Sequence, residues 1–428
     1  MTGPMFAARR AALKLPSLLL VLLFAQSGSA FEIPERRREQ KQVEPGHILT
    51  PAAANIPGIG FTYGILGSYF NAFDTEADVL GFLFSGDLAG AGVATLNIPT
   101  FWEPLTVNLF ANSFTKIAAE TYNRGIDSDP DDRYIVELDN ADLLATQFNL
   151  NFLGKRLQFN LGVNQQGSRL RSLRDKDGKK ISDVDADKHI RKSYSAGTII
   201  DLTDDHDDPR KGMQLEVYAF GSPRESTFSA DYYTVDYNFL GYVPFGSFST
   251  VVFNAYRSDA VVARKGESDE DAIKKDLGYK CDEEIDDARD ACLATEEKRT
   301  REIMTQNTHG TASPIGGTQR LRSYPTNRFF AAHTVAYSAE IRYNLTEEFS
   351  KFNIYIASGV RTSMQLALFY DIGSVAETAS DLHDDMKYSV GGGLRLVMAS
   401  GIVLRGDYGV GEEGGAATLI FQYPYSLF

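Results

Sequence analysis

From about Gly58 to the end of the chain, apolar and polar positions alternate along runs of roughly ten residues, with polar loops between them. Three runs carry the pattern best. Along HTVAYSAEIRYNL, Val335, Tyr337, Ala339, Ile341 and Tyr343 share one face, and Thr334, Ser338, Glu340 and Arg342 share the other. Along ADYYTVDYNFLGYV, Tyr233, Val235, Tyr237 and Phe239 oppose Thr234, Asp236 and Asn238. Along GMQLEVYAF, Met213, Leu215, Val217 and Ala219 oppose Gln214 and Glu216. A soluble sheet with one wet face alternates in the same way. Two features favour strands that cross a membrane at a tilt: the length of the runs and the Tyr and Phe near their ends.

The connections alternate between short ones, such as 153–156 and 398–401, and long polar ones, at roughly 117–139, 167–192 and 258–328. Short turns at one end and long loops at the other are the habit of outer-membrane barrels. The expectation is therefore an all-β chain: a transmembrane antiparallel β-barrel of about 14–16 strands, spanning 58–428. The span 77–99 reads as one strand or two, and 131–138 is ambiguous. Residues 31–57 read as a short leader.

Composition narrows the class. Mean hydropathy is -0.23, and nothing after residue 30 approaches the about 20 consecutive apolar residues of a membrane helix. Tyr (21), Phe (27) and Gly (37) are abundant beside one Trp, which suits aromatic-bearing strands. A net charge of -14 disfavours a nucleic-acid partner, since phosphates call for a basic surface.

The first 30 residues read as an export signal: basic Arg9, Arg10 and Lys14, an apolar run from Leu18 to Ala25, then small Gly28, Ser29 and Ala30 for cleavage. Export to an oxidising space favours a disulfide between Cys281 and Cys292. On one unbroken helix their spacing would span about 16 Å, too far for a bridge. A bonded pair therefore requires the segment to fold back. At the other end, FQYPYSLF alternates through Leu419, Phe421, Tyr423 and Tyr425, with Phe428 out of register. Pro424 cannot donate to a ladder, so Pro424 and Phe428 mark a weak point where the last strand meets the first.

Six motifs, in order and covering roughly 190–428, resemble the bacterial surface antigen superfamily of outer-membrane assembly and translocation barrels, the BamA/TamA type and the two-partner-secretion transporters. They are DDHDDPRKGMQLEV, GGTQRLRSYPTNRF, AEIRYNL, VRTSMQLALFYDIGSV, SVGGGLRL and VLRGDYG. The resemblance implies that the loop arginine, Arg322, folds inward to acidic groups on the wall. Strand alternation puts Glu340 on an inner face, and Phe369, Asp371 and Gly373 together on one face of a neighbouring strand. An arginine there makes bidentate, charge-assisted hydrogen bonds. Gly373, Gly391 and Gly393 would leave room for the loop. The loop tip comprises Gly316, Gly317, Leu321, Ser323 and Tyr324. Ser323 stands where the family has glycine, and serine tolerates positive φ less well. The stretch 31–57 is too short for the polypeptide-transport-associated domains that precede the barrel in family members.

Other chemistries find little footing. No G-x-S-x-G or H-E-x-x-H occurs, so no enzyme is expected. His206 among aspartates reads as a solvated turn rather than a metal site, the acidic stretch 267–297 reads as a charged loop, and no cofactor motif occurs. The expected function is a protein-assembly or translocation barrel whose partners are outer-membrane lipids and a client polypeptide or a separate periplasmic subunit. The alternative is a passive pore or surface-exposed structural barrel.

Overall fold

The computed structural model describes residues 32–40, 44–56, 59–184, 188–223, 228–346, 350–354, 357–398, 403–420 and 424–425. The export signal expected over 1–30, and Phe428, lie outside the described residues. Glu32–Glu35 carry no regular structure, and residues 36–428 form one unit.

That unit is built from strands β1 (Gly46–Ile56), β2 (Gly60–Phe70), β3 (Asp78–Gly86), β4 (Leu88–Pro99), β5 (Leu105–Thr121), β6 (Tyr134–Phe152), β7 (Leu157–Arg174), β8 (Lys180–Asp183) and β9 (His189–Thr203). The second half adds β10 (Gly212–Gly221), β11 (Asp231–Phe245), β12 (Ser249–Arg264), β13 (His333–Asn344), β14 (Ser350–Ile354), β15 (Ala357–Ala376), β16 (Lys387–Met398), β17 (Val403–Gly411) and β18 (Gly414–Ile420). All belong to one sheet of eighteen strands. β8 only extends the end of β7, and β14 only the start of β15. That leaves sixteen wall strands among the described residues, each antiparallel to the next. β18 lies beside β1, but no paired register joins the two among the described residues.

The wall is inside out. Its buried positions are polar: Glu216, Asn238, Asn254, Glu340 and Asp371 all face inward. Its exposed positions are apolar, among them Leu83, Leu144, Phe148, Leu161, Ile341, Leu368 and Val410. Each large apolar side chain left in water forgoes roughly 1.5–3 kcal/mol of burial. A belt of this extent belongs in a bilayer, which removes the penalty. Phe101, Trp102, Phe245 and Phe248 are exposed at the short-turn end, where an aromatic girdle sits.

Three expectations change, and one reading left open is decided. The sheet begins at Gly46, inside the stretch read as a leader: β1 pairs with β2 from Gly46↔Phe70 to Ile56↔Gly60. The span 77–99 is two strands, β3 and β4, and 131–138 holds the start of β6. Much of the loops read at 117–139 and 167–192 is strand, because β5, β6 and β7 continue past the apolar belt and β8 caps β7. The loop at 258–328 carries two helices, α1 (Glu270–Leu277) and α2 (Asp286–His309). Asp269 caps α1 by accepting from the Ala272 N–H at 2.8 Å, and Gly278 ends it at φ 64°.

Cys281 and Cys292 are bonded, with Cα atoms 5.4 Å apart. Cys281 sits in a short turn before α2 and Cys292 inside it, which supplies the required fold-back. The bond packs on Tyr134, Leu173, Ile181 and Val184 at the long-loop end. Closing so short a segment is worth about 3 kcal/mol, and it acts on the cap alone. Cys281→Ser/Cys292→Ser should therefore speed protease cleavage within 270–300 severalfold. The urea midpoint of the wall, followed by folded-form gel mobility, should stay unchanged.

Candidate functional site

After α2 the chain turns back into the lumen. Ile315, Leu321, Tyr324 and Phe329 form a small apolar core against Tyr256 of β12, Ala336 of β13 and Val375 of β15. Ile315 and Phe329 exchange backbone hydrogen bonds at 3.0 Å, so the loop returns as a tight hairpin. At Gly316 (φ 107°) a Cβ would lie 2.4 Å from the Pro325 carbonyl oxygen, so only glycine fits. Gly317 (φ 101°) donates to the Tyr324 carbonyl at 2.9 Å.

The tip delivers Arg322, which is fully buried. Its Nε and Nη2 donate to Asp371 Oδ2 and Oδ1 of β15 at 2.9 and 3.1 Å. Its Nη1 donates to Glu340 Oε2 of β13 at 2.9 Å and to Asp407 Oδ2 of β17 at 3.0 Å. Its guanidinium lies 3.4 Å over the Phe369 ring. Register explains the meeting: Glu340 pairs with Phe369 across β13–β15, and Ser338 with Asp371. The sequence-level residues Arg322, Glu340, Asp371 and Phe369 therefore converge on one point.

The cluster is wider than the sequence reading. Glu340 also accepts from Arg395 Nη1 and Nη2 of β16 at 2.6 Å each, and from Arg342 Nε at 2.7 Å. Asp407 Oδ2 accepts from Arg405 Nη1 at 2.7 Å. Four guanidiniums thus meet the three carboxylates of Glu340, Asp371 and Asp407. Removing one partner from such a buried set costs about 3–5 kcal/mol, because it strands the others. Arg395 and Asp407 stand in SVGGGLRL and VLRGDYG, so the signal for them was on the page as glycine-bearing strand motifs.

The glycines divide differently from expectation. Gly373 does face the loop, since a Cβ there would meet Ile315 Cδ1 at 2.9 Å. Gly391 instead makes room for the Phe369 ring at 2.5 Å, and Gly393 for the Asp407 carboxylate. The tip itself rests on Gly409 and Gly411 of β17, which the sequence reading missed. Ser323 keeps an ordinary φ, and the left-handed position is Leu321 at 52°. Ser323 donates its N–H to Ser389 Oγ at 3.0 Å, and the two hydroxyls lie 2.5 Å apart.

The terminal segment also departs from the sequence reading. β18 ends at Ile420, and Pro424 and Tyr425 form a turn inside the lumen rather than the edge of a strand. With no N–H, Pro424 cannot prolong the ladder. Tyr425 is fully buried. Its hydroxyl bonds Arg322 Nη2 and donates to Asp371 Oδ1 at 3.2 Å. Its carbonyl accepts from Asn238 Nδ2 at 2.7 Å and Arg320 Nη2 at 2.9 Å.

At the short-turn end, a second ionic set holds the chain just before β1. The turn 204–211 joins β9 to β10 and reaches across to β15, where Gln365 Nε2 donates to Asp208 Oδ1 at 3.0 Å. Three consecutive arginines dock on it. Arg36 Nη1 donates to Asp201 Oδ2 at 3.1 Å, Arg37 Nη2 to the Asp208 carbonyl at 2.7 Å, and Arg38 Nη2 to Asp205 Oδ1 at 2.9 Å. Burial pushes the Asp205 carboxyl up, but Arg38, the Asp208 N–H and Arg37 outweigh it and hold it below the usual carboxylate range. The His206 ring Nδ1 lies 3.0 Å from Asp201 Oδ2, and the His206 backbone N–H donates to Gln40 Oε1 at 2.7 Å.

No family model matches the chain, and no curated protein matches it. Among solved structures it resembles BamA from Haemophilus ducreyi lacking POTRA domains 1–3, at 11% identity and a TM-score of 0.43, over 90% of this chain and 68% of that one. It also resembles CdiB from Escherichia coli, at 10% identity and a TM-score of 0.46, over 92% of this chain and 65% of that one.

Proposed function

We propose that this chain is an outer-membrane barrel of the protein assembly and translocation type, acting on polypeptide clients by opening its plug and its closing seam. One observation carries the reading. Arg322 ties the lumen loop to β13, β15 and β17, and the same guanidinium bonds Tyr425, just beyond the last strand. A single cluster therefore holds both the plug and the end of the wall. Among the described residues β18 has seven, against nineteen in β6 and eighteen in β7, the shortest of the wall strands. Freed strand edges there would offer backbone donors and acceptors to a client strand. Lipid would meet the apolar outer face. The role is non-catalytic in this reading: Glu340 and Asp371 are engaged by arginines, which leaves neither of the two placed as an acid or base.

Single-channel recordings of the refolded barrel in planar bilayers test this. The wild type should give small, flickering currents, and Arg322→Ala should raise the mean conductance severalfold. Large, steady currents indifferent to the substitution would overturn the reading in favour of a passive pore.

A further inference from the structure

The lumen holds a cavity of about 250 Å³ near the short-turn end. Its wall on β5, β6 and β7 is built from carboxamides: Asn108, Gln147, Asn149, Asn151, Gln158 and Asn160. The alternation is complete on these strands. Phe148, Phe159 and Leu161 point outward, while Asn149 and Asn160 face each other across the β6–β7 ladder and point inward. Both are more than nine-tenths buried, yet Asn149 Oδ1 and Asn160 Nδ2 have no hydrogen-bond partner. A buried acceptor and a buried donor left open side by side describe a site for a ligand with one of each.

We infer that this wall is a sequence-independent binding site for the main chain of an extended polypeptide. The inference rests on the proposed function and names what the lumen would hold. Gln147, Asn149 and Asn151 are spaced by two along one strand, which sets them roughly 6.8 Å apart. That is also the repeat of same-facing peptide groups in an extended chain. A carboxamide carries both a donor and an acceptor, as a peptide group does, and the open pair is Asn149 Oδ1 and Asn160 Nδ2, since Asn108 Oδ1, Asn151 Nδ2 and Gln158 Nε2 already bond within the fold. A carboxamide wall thus pairs with backbone amides whatever the side chains, while Lys155, Asp207 and Glu216 on the rest of the lining bring charge of both signs. A saccharide presents hydroxyls without this fixed repeat, which makes the polypeptide the better fit.

The test uses the full-length barrel in detergent, with a neutral, blocked glycine–serine peptide carrying a fluorophore, read by anisotropy. A linear maltooligosaccharide serves as competitor. Asn149→Leu/Asn160→Leu should weaken peptide binding roughly tenfold, in line with two lost hydrogen bonds. Folded-form gel mobility checks each variant, and Asn149→Ser/Asn160→Ser replaces the leucine pair if that pair does not fold. Equal binding by wild type and the leucine or serine pair would overturn the site. So would displacement of the peptide by the saccharide at comparable concentration, or absence of peptide binding, which would leave a water-filled void. Peptide binding needs no bilayer and no client movement. A barrel that binds the peptide but opens for no client overturns the proposed function alone, and one that opens while the variants bind normally overturns the site alone.

Discussion

Replacing Glu340 with glutamine should destabilise the wall more than any other single change in the cluster. Glu340 is fully buried and accepts from three arginines on three elements: Arg395 on β16, Arg342 beside it on β13, and Arg322 on the loop. Neutralising it leaves four guanidiniums facing only Asp371 and Asp407. The expected loss is about 3–5 kcal/mol, the cost of breaking a buried ion pair. It should appear as a lower urea midpoint for the change from folded to unfolded gel mobility, with little change in slope. Arg322→Met should behave differently. It leaves three arginines with three carboxylates, so the net charge balances, but Asp371 loses its arginine and the loop loses its tether. Glu340→Gln should therefore act mainly on stability, and Arg322→Met on conductance as well as stability. Adding Arg395→Met to Glu340→Gln removes one stranded cation and should recover part of the loss. A Glu340→Gln midpoint within about 0.5 kcal/mol of wild type, the scatter of ordinary surface substitutions, would show that the charges are not coupled as the geometry implies.

What the sequence revealed, and what it hid, follows from where hydrophobicity carries information. Alternation is readable where one face meets lipid and the other the lumen, as in β13, where Tyr337, Ile341 and Tyr343 are exposed and Ser338, Glu340 and Arg342 are buried. Beyond the belt both faces meet water, so the outer ends of β5–β7 lose the signal and read as loops. β1 was missed for another reason: GHILTPAAANI has a proline and a run of alanines where alternation should be. Helix α2 is polar around most of its circumference, since it stands above the wall and meets an apolar cluster only near Cys292. The charge cluster was half legible. The Arg322, Glu340 and Asp371 motifs named their residues, and strand parity put them on the inner face. Tyr425 was hidden because Leu419, Phe421, Tyr423 and Tyr425 keep the strand period, and only the missing N–H of Pro424 signals the turn inward. The arginine strap was hidden because pairing between residues 36–38 and 201–208 is a long-range fact with no local pattern.

That strap should prove to be the second strong control on the lumen. Arg36–Gln40 are held at the β9–β10 turn, while β1 starts at Gly46 on the far side of a sixteen-strand wall, eight strands away. The strap therefore lies at the short-turn mouth. Arg37→Ser/Arg38→Ser should release it and raise conductance at that end, even with Arg322 intact. Asp205 is fully buried, but Arg37 and Arg38 are partly solvated. The contribution therefore falls below that of the Arg322 cluster, at about 2 kcal/mol, or roughly thirtyfold in the equilibrium between docked and free strap. Acid should act in the same direction. The Asp205 carboxyl lies lower in the folded chain than its ordinary value of about 3.9. Its contribution is complete above that value and is lost as pH falls through the lower, folded one. Conductance should thus be flat from neutral pH down to about 4 and rise below it, with no rise on the alkaline side of neutral. Asp205→Asn should show the raised conductance at neutral pH. The swapped pair Arg38→Asp/Asp205→Arg should restore closure if the contact itself holds the strap. If the swap stays open while each single variant is closed, the arginines act elsewhere, and the mouth is held by the Asp208–Gln365 contact across the lumen.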